Sequence, residues 1–235
     1  MRHAERVHRA SLPPDFILLC VRWYLKFNVS YRHLAKMMEE RGFEVHHTTI
    51  YRWIQSYAPQ LEKFIRWYQG YTTCSWRVDE TYVKVCGEWF YLFRAIDSRG
   101  RTVDFYLSHR WDAGAARRFL AKALRARRDW APSVINTDRN PAYGEAIRKL
   151  KDSKLLDDSV DHRQVKYLNN RLEADHGAIK RRIRSMLGFK SAKTAYATLK
   201  GIEVMRMIRK LQCILLRPGI AAEARFFNKL FGVYA

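Results

Sequence analysis

The chain has 235 residues, with 44 Lys and Arg against 23 Asp and Glu, giving a net charge of +21. At 48% hydrophobic and 14% aromatic it holds too many core-forming side chains for a basic disordered tail, and its charge is the footprint of a polyanion binder. No apolar run is long enough to span a membrane, Met1–Arg6 lack a secretory pattern, and the scattered Cys20, Cys74, Cys86 and Cys213 offer neither a zinc site nor a disulfide framework. A reduced, cytoplasmic location is expected.

Residues 11–66 are predicted helical. Ser11-Leu12-Pro13-Pro14 opens the first helix, since proline suits a first turn, and Ile17, Leu18, Val21, Trp23, Tyr24 and Leu25 are its apolar positions. Ser30 opens a second helix through Leu34, Met37 and Met38, which Gly42 ends where a left-handed cap is needed. His47-Thr48-Thr49 opens a third, carrying Ile50, Trp53 and Ile54, and Pro59 is expected to stop or restart it before Leu61–Tyr68. Read as a helix-turn-helix, Ser30–Arg41 supports and Thr48–Tyr57 recognises. Thr48, Thr49, Tyr51, Arg52 and Gln55 fall off the apolar stripe and are candidates for phosphates and base edges. In a plain three-helix bundle the same face would simply be solvated.

Around Gly70-Tyr71-Thr72-Thr73 the helical period gives way to strand patterns. Trp76–Val85, Trp89–Ile96 and Thr102–Leu107 read as three strands joined by tight turns at Cys86-Gly87-Glu88 and Asp97-Ser98-Arg99-Gly100. A helix capped by Asp112 follows, then a short strand Val134–Thr137 ending at Asp138, a helix through Ala146–Leu150, a strand near Val160–Val165 and a helix carrying Glu173. The order βββαβαβα is that of an α/β, RNase H-like mixed sheet flanked by helices, here preceded by an all-α helix-turn-helix domain. Beyond Ser191, the positions Ala195, Leu199, Ile202, Met205, Ile208 and Leu211 mark further helix. The expected domains are residues 1–70 (DNA binding), 71–190 (catalytic core) and 191–235 (helical, packed on the core), with residues 11–66 folding alone.

Three carboxylates stand out. Asp79 sits mid-strand among β-formers, where Asp is disfavoured. Asp138 closes a strand, at the carboxyl end where open α/β sheets place ligands, although Asp138-Arg139-Asn140-Pro141 is also good turn chemistry. Glu173 follows after 34 intervening residues, off the Leu172/Ile179/Ile183/Met186 stripe, and shares its helix face with Gly177, Lys180 and Arg184. Lys180 and Arg184 are therefore candidate phosphate contacts. Among the other acids, Asp97 fits a hairpin turn, Asp175 lies across the helix from Lys180, and the alternation of a strand puts Glu80 on the face opposite Asp79. Two strand-borne aspartates and a helix-borne glutamate can converge on two divalent cations for phosphoryl transfer. Oxygen-only ligands suit Mg²⁺, with Mn²⁺ able to substitute.

The strings Val78-Asp79-Glu80-Thr81-Tyr82-Val83-Lys84-Val85, Tyr91-Leu92-Phe93-Arg94-Ala95-Ile96-Asp97, Asn136-Thr137-Asp138 and Glu173-Ala174-Asp175-His176-Gly177-Ala178-Ile179-Lys180 resemble those of the small bacterial DDE transposases of insertion-sequence family six. So do Thr48–Trp53 and Ser191–Met205. The resemblance implies Asp79, Asp138 and Glu173 as a metal-binding catalytic triad, with Lys180 the basic residue seven positions beyond the glutamate. It further implies binding of terminal inverted repeats, cleavage at the element ends, transfer of a 3′-hydroxyl into target DNA and a replicative outcome. Double-stranded DNA is the expected partner, with no membrane, and a homodimer or larger assembly would hold two ends together. Two other classes remain at this point: an RNase H-like nuclease or resolvase that only cuts, and a helix-turn-helix regulator with a dead core.

Overall fold

The computed structural model describes residues 12–165, 170–184, 186 and 188–233; the expected helix start at Ser11 lies outside them. Helix α1 (Pro14–Lys26) begins on Pro13 and Pro14. Helix α2 (Tyr31–Glu39) is capped by the Ser30 hydroxyl, which accepts the His33 N–H at 3.0 Å. It closes at Gly42 (φ +79°), where the Gly42 and Phe43 N–H groups return to the carbonyls of Glu39 and Met38. That double return is a Schellman closure, and glycine alone reaches it without strain.

The connection to α3 (His47–Ile65) runs from Glu40 to His46, and α3 then passes unbroken through Pro59. The expected break does not occur. Proline removes one helix donor and crowds the carbonyl four residues back, but Ala58, Leu61 and Ile65 around it are buried in a core that α3 shares with α7 (Ala192–Arg209). Tertiary packing overrides the local cost.

The sheet has the order β3-β2-β1-β4-β5. Strands β1 (Ser75–Val85), β2 (Glu88–Asp97) and β3 (Thr102–Ser108) form an antiparallel meander; β4 (Val134–Thr137) and β5 (Asp161–Gln164) add in parallel on the other side. One face packs Trp76, Val78 and Phe93 against α4 (Ala113–Ala126) and α5 (Pro141–Asp152) through Phe119, Leu120 and Tyr143. The other packs Val83, Val85, Leu92 and Phe105 against α6 (Asn170–Arg184) and α7 through Ile179, Ile183 and Leu199. This is the RNase H-like arrangement expected from the element order.

The first three helices do not close a core by themselves. Their buried residues, Leu18, Leu25, Leu34, Ile50 and Ile54 among them, continue into Ile202, Met205 and Ile208 of α7 and Phe226, Phe227 and Leu230 in or beside α8 (Ile220–Lys229). Gly201 makes the approach possible, since a Cβ there would lie 2.7 Å from Leu25 side-chain carbons and 2.8 Å from the Ala58 Cβ. Residues 12–66 therefore share one core with the C-terminal helices. Helix α7 also faces the sheet, where Glu203 pairs with Arg94 of β2 at 2.8 Å, both side chains fully buried. Leu211, expected on the α7 stripe, lies past the helix end, exposed and at φ +53°.

Candidate active site

The acid cluster follows from unequal strand lengths. β4 pairs with β1 only from Ser75 to Arg77, so among the described residues the β4 side of β1 has no partner from Asp79 to Lys84, until Phe189 bridges to Val85. Asp138 follows directly at the end of β4. One carboxylate oxygen each from Asp79, Glu80 and Asp138 lies within 4.8 Å of the other two.

Including Glu80 corrects the sequence reading. The pleat does send it to the opposite face, where its Oε2 accepts the Tyr143 hydroxyl at 2.5 Å. But with no strand described beside β1 between Asp79 and Lys84, both carboxylates can turn around the open edge towards Asp138. Asp138 acts as a turn residue, its Oδ1 accepting the Asn140 N–H at 3.1 Å, while the group stays within the cluster.

The cluster is electrostatically unfavourable without a counter-charge. Burial, then the charges of Glu80, Asp138 and Glu173, push the Asp79 carboxyl up to about 7. Arg94, opposite Asp79 in register, offers it no ion pair, because its guanidinium is engaged by Glu203 and by Asp175 at 2.6 Å. His176 Nδ1 comes within 4.0 Å of Asp79, yet burial and the nearby Arg94 push this imidazole down to about 3, so it stays neutral. Three carboxylates with no cation among the described neighbours fit a site for hard divalent ions.

Glu173 lies on α6 as expected, exposed, and near enough for Asp79 to feel its charge, but it is not part of the close three-acid group. Leu172, Ile179 and Ile183 form the buried stripe, leaving Lys180 and Arg184 exposed with Glu173. Asp175, passed over in the sequence, has a different task. It accepts from Arg94, Arg206 and Lys210, and these cations hold its carboxyl well below the usual range. This knot ties α6 to β2 and α7 directly behind the site.

The helix-turn-helix candidates divide. Thr48 and Arg52 are exposed and Thr49 is half-buried. Tyr51 packs edge-on against Tyr31, ring centroids 5.6 Å apart, and the Gln55 amide donates to Thr198 Oγ1 of α7 at 3.0 Å. Gln55 is thus turned inward, because α7 lies along the face of α3 that a bare three-helix reading leaves open. In the sequence Glu80 is set aside on strand alternation despite its adjacency to Asp79, and nothing local signals Tyr143 or His176.

Residues 73–212 match the family model described as a DDE domain. The chain is 39% identical over 197 residues to the transposase for insertion sequence-like element IS431mec of Staphylococcus aureus, covering 83% of this chain and 85% of that one. The same identity and coverage hold for the transposase for insertion sequence element IS257 in transposon Tn4003 of Staphylococcus aureus. Among solved structures, the HTLV-2 integrase catalytic core domain in complex with magnesium aligns at a TM-score of 0.43 and 17% identity, over 56% of this chain and 84% of that chain. The chain belongs to the DDE transposases of insertion sequences.

Proposed function

We propose that this transposase binds the terminal inverted repeats of its element, cleaves at the element ends and joins the freed 3′-hydroxyl to target DNA, with Asp79, Asp138 and Glu173 as its metal-binding residues. The observation that carries this reading is the acid cluster at the uncovered edge of β1 in a chain of charge +21. Glu173 is preferred to Glu80 as third ligand because a Glu80 oxygen is already held by Tyr143, whereas Glu173 is exposed on the helix bordering the site. The all-oxygen donor set fits Mg²⁺, with Mn²⁺ able to substitute. When bound, such ions supply Lewis-acid polarisation of the phosphate and a more acidic attacking water or hydroxyl.

The chain's own residues do the rest. Asp79 holds a proton near neutral pH and gives it up when positive charge arrives beside it. Lys180, two helical turns beyond Glu173 and about 10 Å along α6, can contact the DNA phosphate backbone, with Arg184 one further turn on. Thr48, Thr49 and Arg52 at the start of α3 are the recognition candidates that remain on the surface; Tyr51 and Gln55 instead position α3. Two ends must meet for joining, so a homodimer or larger assembly is the working form. A replicative outcome is carried by the family resemblance alone.

A strand-transfer assay with a pre-cut element end tests this reading. Joined product is the expected result. Cutting of uncut ends with no joining from the pre-cut end would make the protein a nuclease or resolvase.

A further inference from the structure

The uncovered stretch of β1 has a second property. Along its Glu80 face the cross-strand pairs run Glu80–Phe93, Tyr82–Tyr91 and Lys84–Trp89, leading directly away from the acid cluster. Beyond Glu80 the row emerges from the helical cover: Tyr91 packs half-buried at the margin of the α4/α5 core, while Tyr82 is 53% and Trp89 58% exposed. The rings are mutually braced, Tyr82 lying 5.4 Å from Tyr91 and 6.3 Å from Trp89, with the Lys84 ammonium 5.8 Å from the Trp89 ring. They form one wall of a groove of about 770 Å³ whose other wall, on α6, carries Lys180 and Arg184.

Large aromatics left in water need a reason, and cations facing them narrow it. A second copy of this chain seated here would bring two basic walls together. A nucleic-acid strand instead answers both surfaces, its phosphates meeting the cations and its bases meeting the rings. In a duplex the base faces are already stacked on one another, so the rings select a strand whose bases are free.

We propose that the Tyr82/Tyr91/Trp89 row is a stacking platform for unpaired bases of the DNA strand that leaves the acid cluster. At the rise of a β-strand the platform extends from about 7 to about 14 Å beyond Glu80, roughly two to four nucleotides at the spacing of a stacked strand. Unpaired bases at a cleaved or melted end would be held there while Lys180 and Arg184 take the backbone. The proposal rests on the DNA-transposase reading but names a different contact surface from the metal ligands and from α3.

The test uses the full-length chain and two probes: a short blunt duplex, and the same duplex with a single-stranded oligothymidine tail. Wild-type protein is expected to bind the tailed probe more tightly. Trp89→Ala and Tyr82→Ala should each lose roughly 5- to 150-fold in affinity for the tailed probe, with blunt-duplex affinity unchanged and Trp89→Phe retaining the preference. Both positions are exposed, so an unchanged thermal transition confirms that the variants fold. Equal losses on both probes, a wild-type protein indifferent to the tail, or a change of sedimentation with Trp89→Ala in place of a change in tail affinity would each overturn the platform. If wild-type protein binds neither probe, the DNA reading itself fails along with it.

Discussion

Replacing Asp79 by Asn should stabilise the metal-free protein at alkaline pH while abolishing its chemistry. The native carboxyl titrates at about 7 rather than its usual 3.8. Between those values the folded state holds a proton that the unfolded state has lost, so this group lowers stability as pH rises. At 1.36 kcal/mol per unit, its contribution worsens by about 2–3 kcal/mol between pH 5 and pH 8 and then levels off above the folded value. Asn has no such titration. The assay is thermal unfolding in chelator: the variant should gain on wild type by roughly 5–10 °C on going from pH 5 to pH 8. Adding Mg²⁺ at pH 8 should raise the wild-type transition and leave Asp79→Asn nearly unmoved. Parallel pH profiles for the two proteins would refute the argument that the acids crowd one another without a counter-charge.

Glu173→Gln is expected to abolish end joining and Glu80→Gln to reduce it only partly; the reverse ranking in a strand-transfer assay would move the third ligand to Glu80. Glu203→Gln leaves the fully buried Arg94 with Asp175 alone, and should cost about 3 kcal/mol in denaturant unfolding. Gly201→Ala improves helix propensity by about 1 kcal/mol but puts a methyl on Ala58 and Leu25, so overpacking of about 1–3 kcal/mol should win and lower the unfolding midpoint. Arg52→Ala should loosen specificity at one base pair of the terminal repeat by about 1–3 kcal/mol in competition binding, whereas Gln55→Ala, losing only its bond to Thr198, should leave specificity intact.

Local signals carried much of the fold. Ser30 and Asp112 begin helices through their side-chain oxygens, Gly42 ends one through its positive φ, and the alternation of β1 with the turn at Gly87 defines the first hairpin. Asp79 stood out in the sequence because a carboxylate is disfavoured mid-strand, and Asp138 because it stands at the carboxyl end of one. What escaped depends on partners distant in sequence. Pro59 is tolerated because α7 packs beside it, and Gln55 is occupied because Thr198 lies 143 residues away. Glu80 joins the acids only because β4 is four residues long against eleven in β1; alternation alone places it on the wrong side. The dependence of α1–α3 on α7 and α8 was hidden for the same reason, since an amphipathic stripe shows that a face is buried without naming what buries it.

The most direct test of the central claim is single-turnover joining of a pre-cut element end to target DNA by Asp138→Ala, measured beside its binding to the same end. Asp138 belongs to the close acid group and closes the strand that sets it there. Joining is expected to vanish, in Mg²⁺ and in Mn²⁺ alike, while end binding stays within a few-fold of wild type. Joining at wild-type rates by the Asp138→Ala protein would contradict the assignment of these carboxylates as the chemical centre.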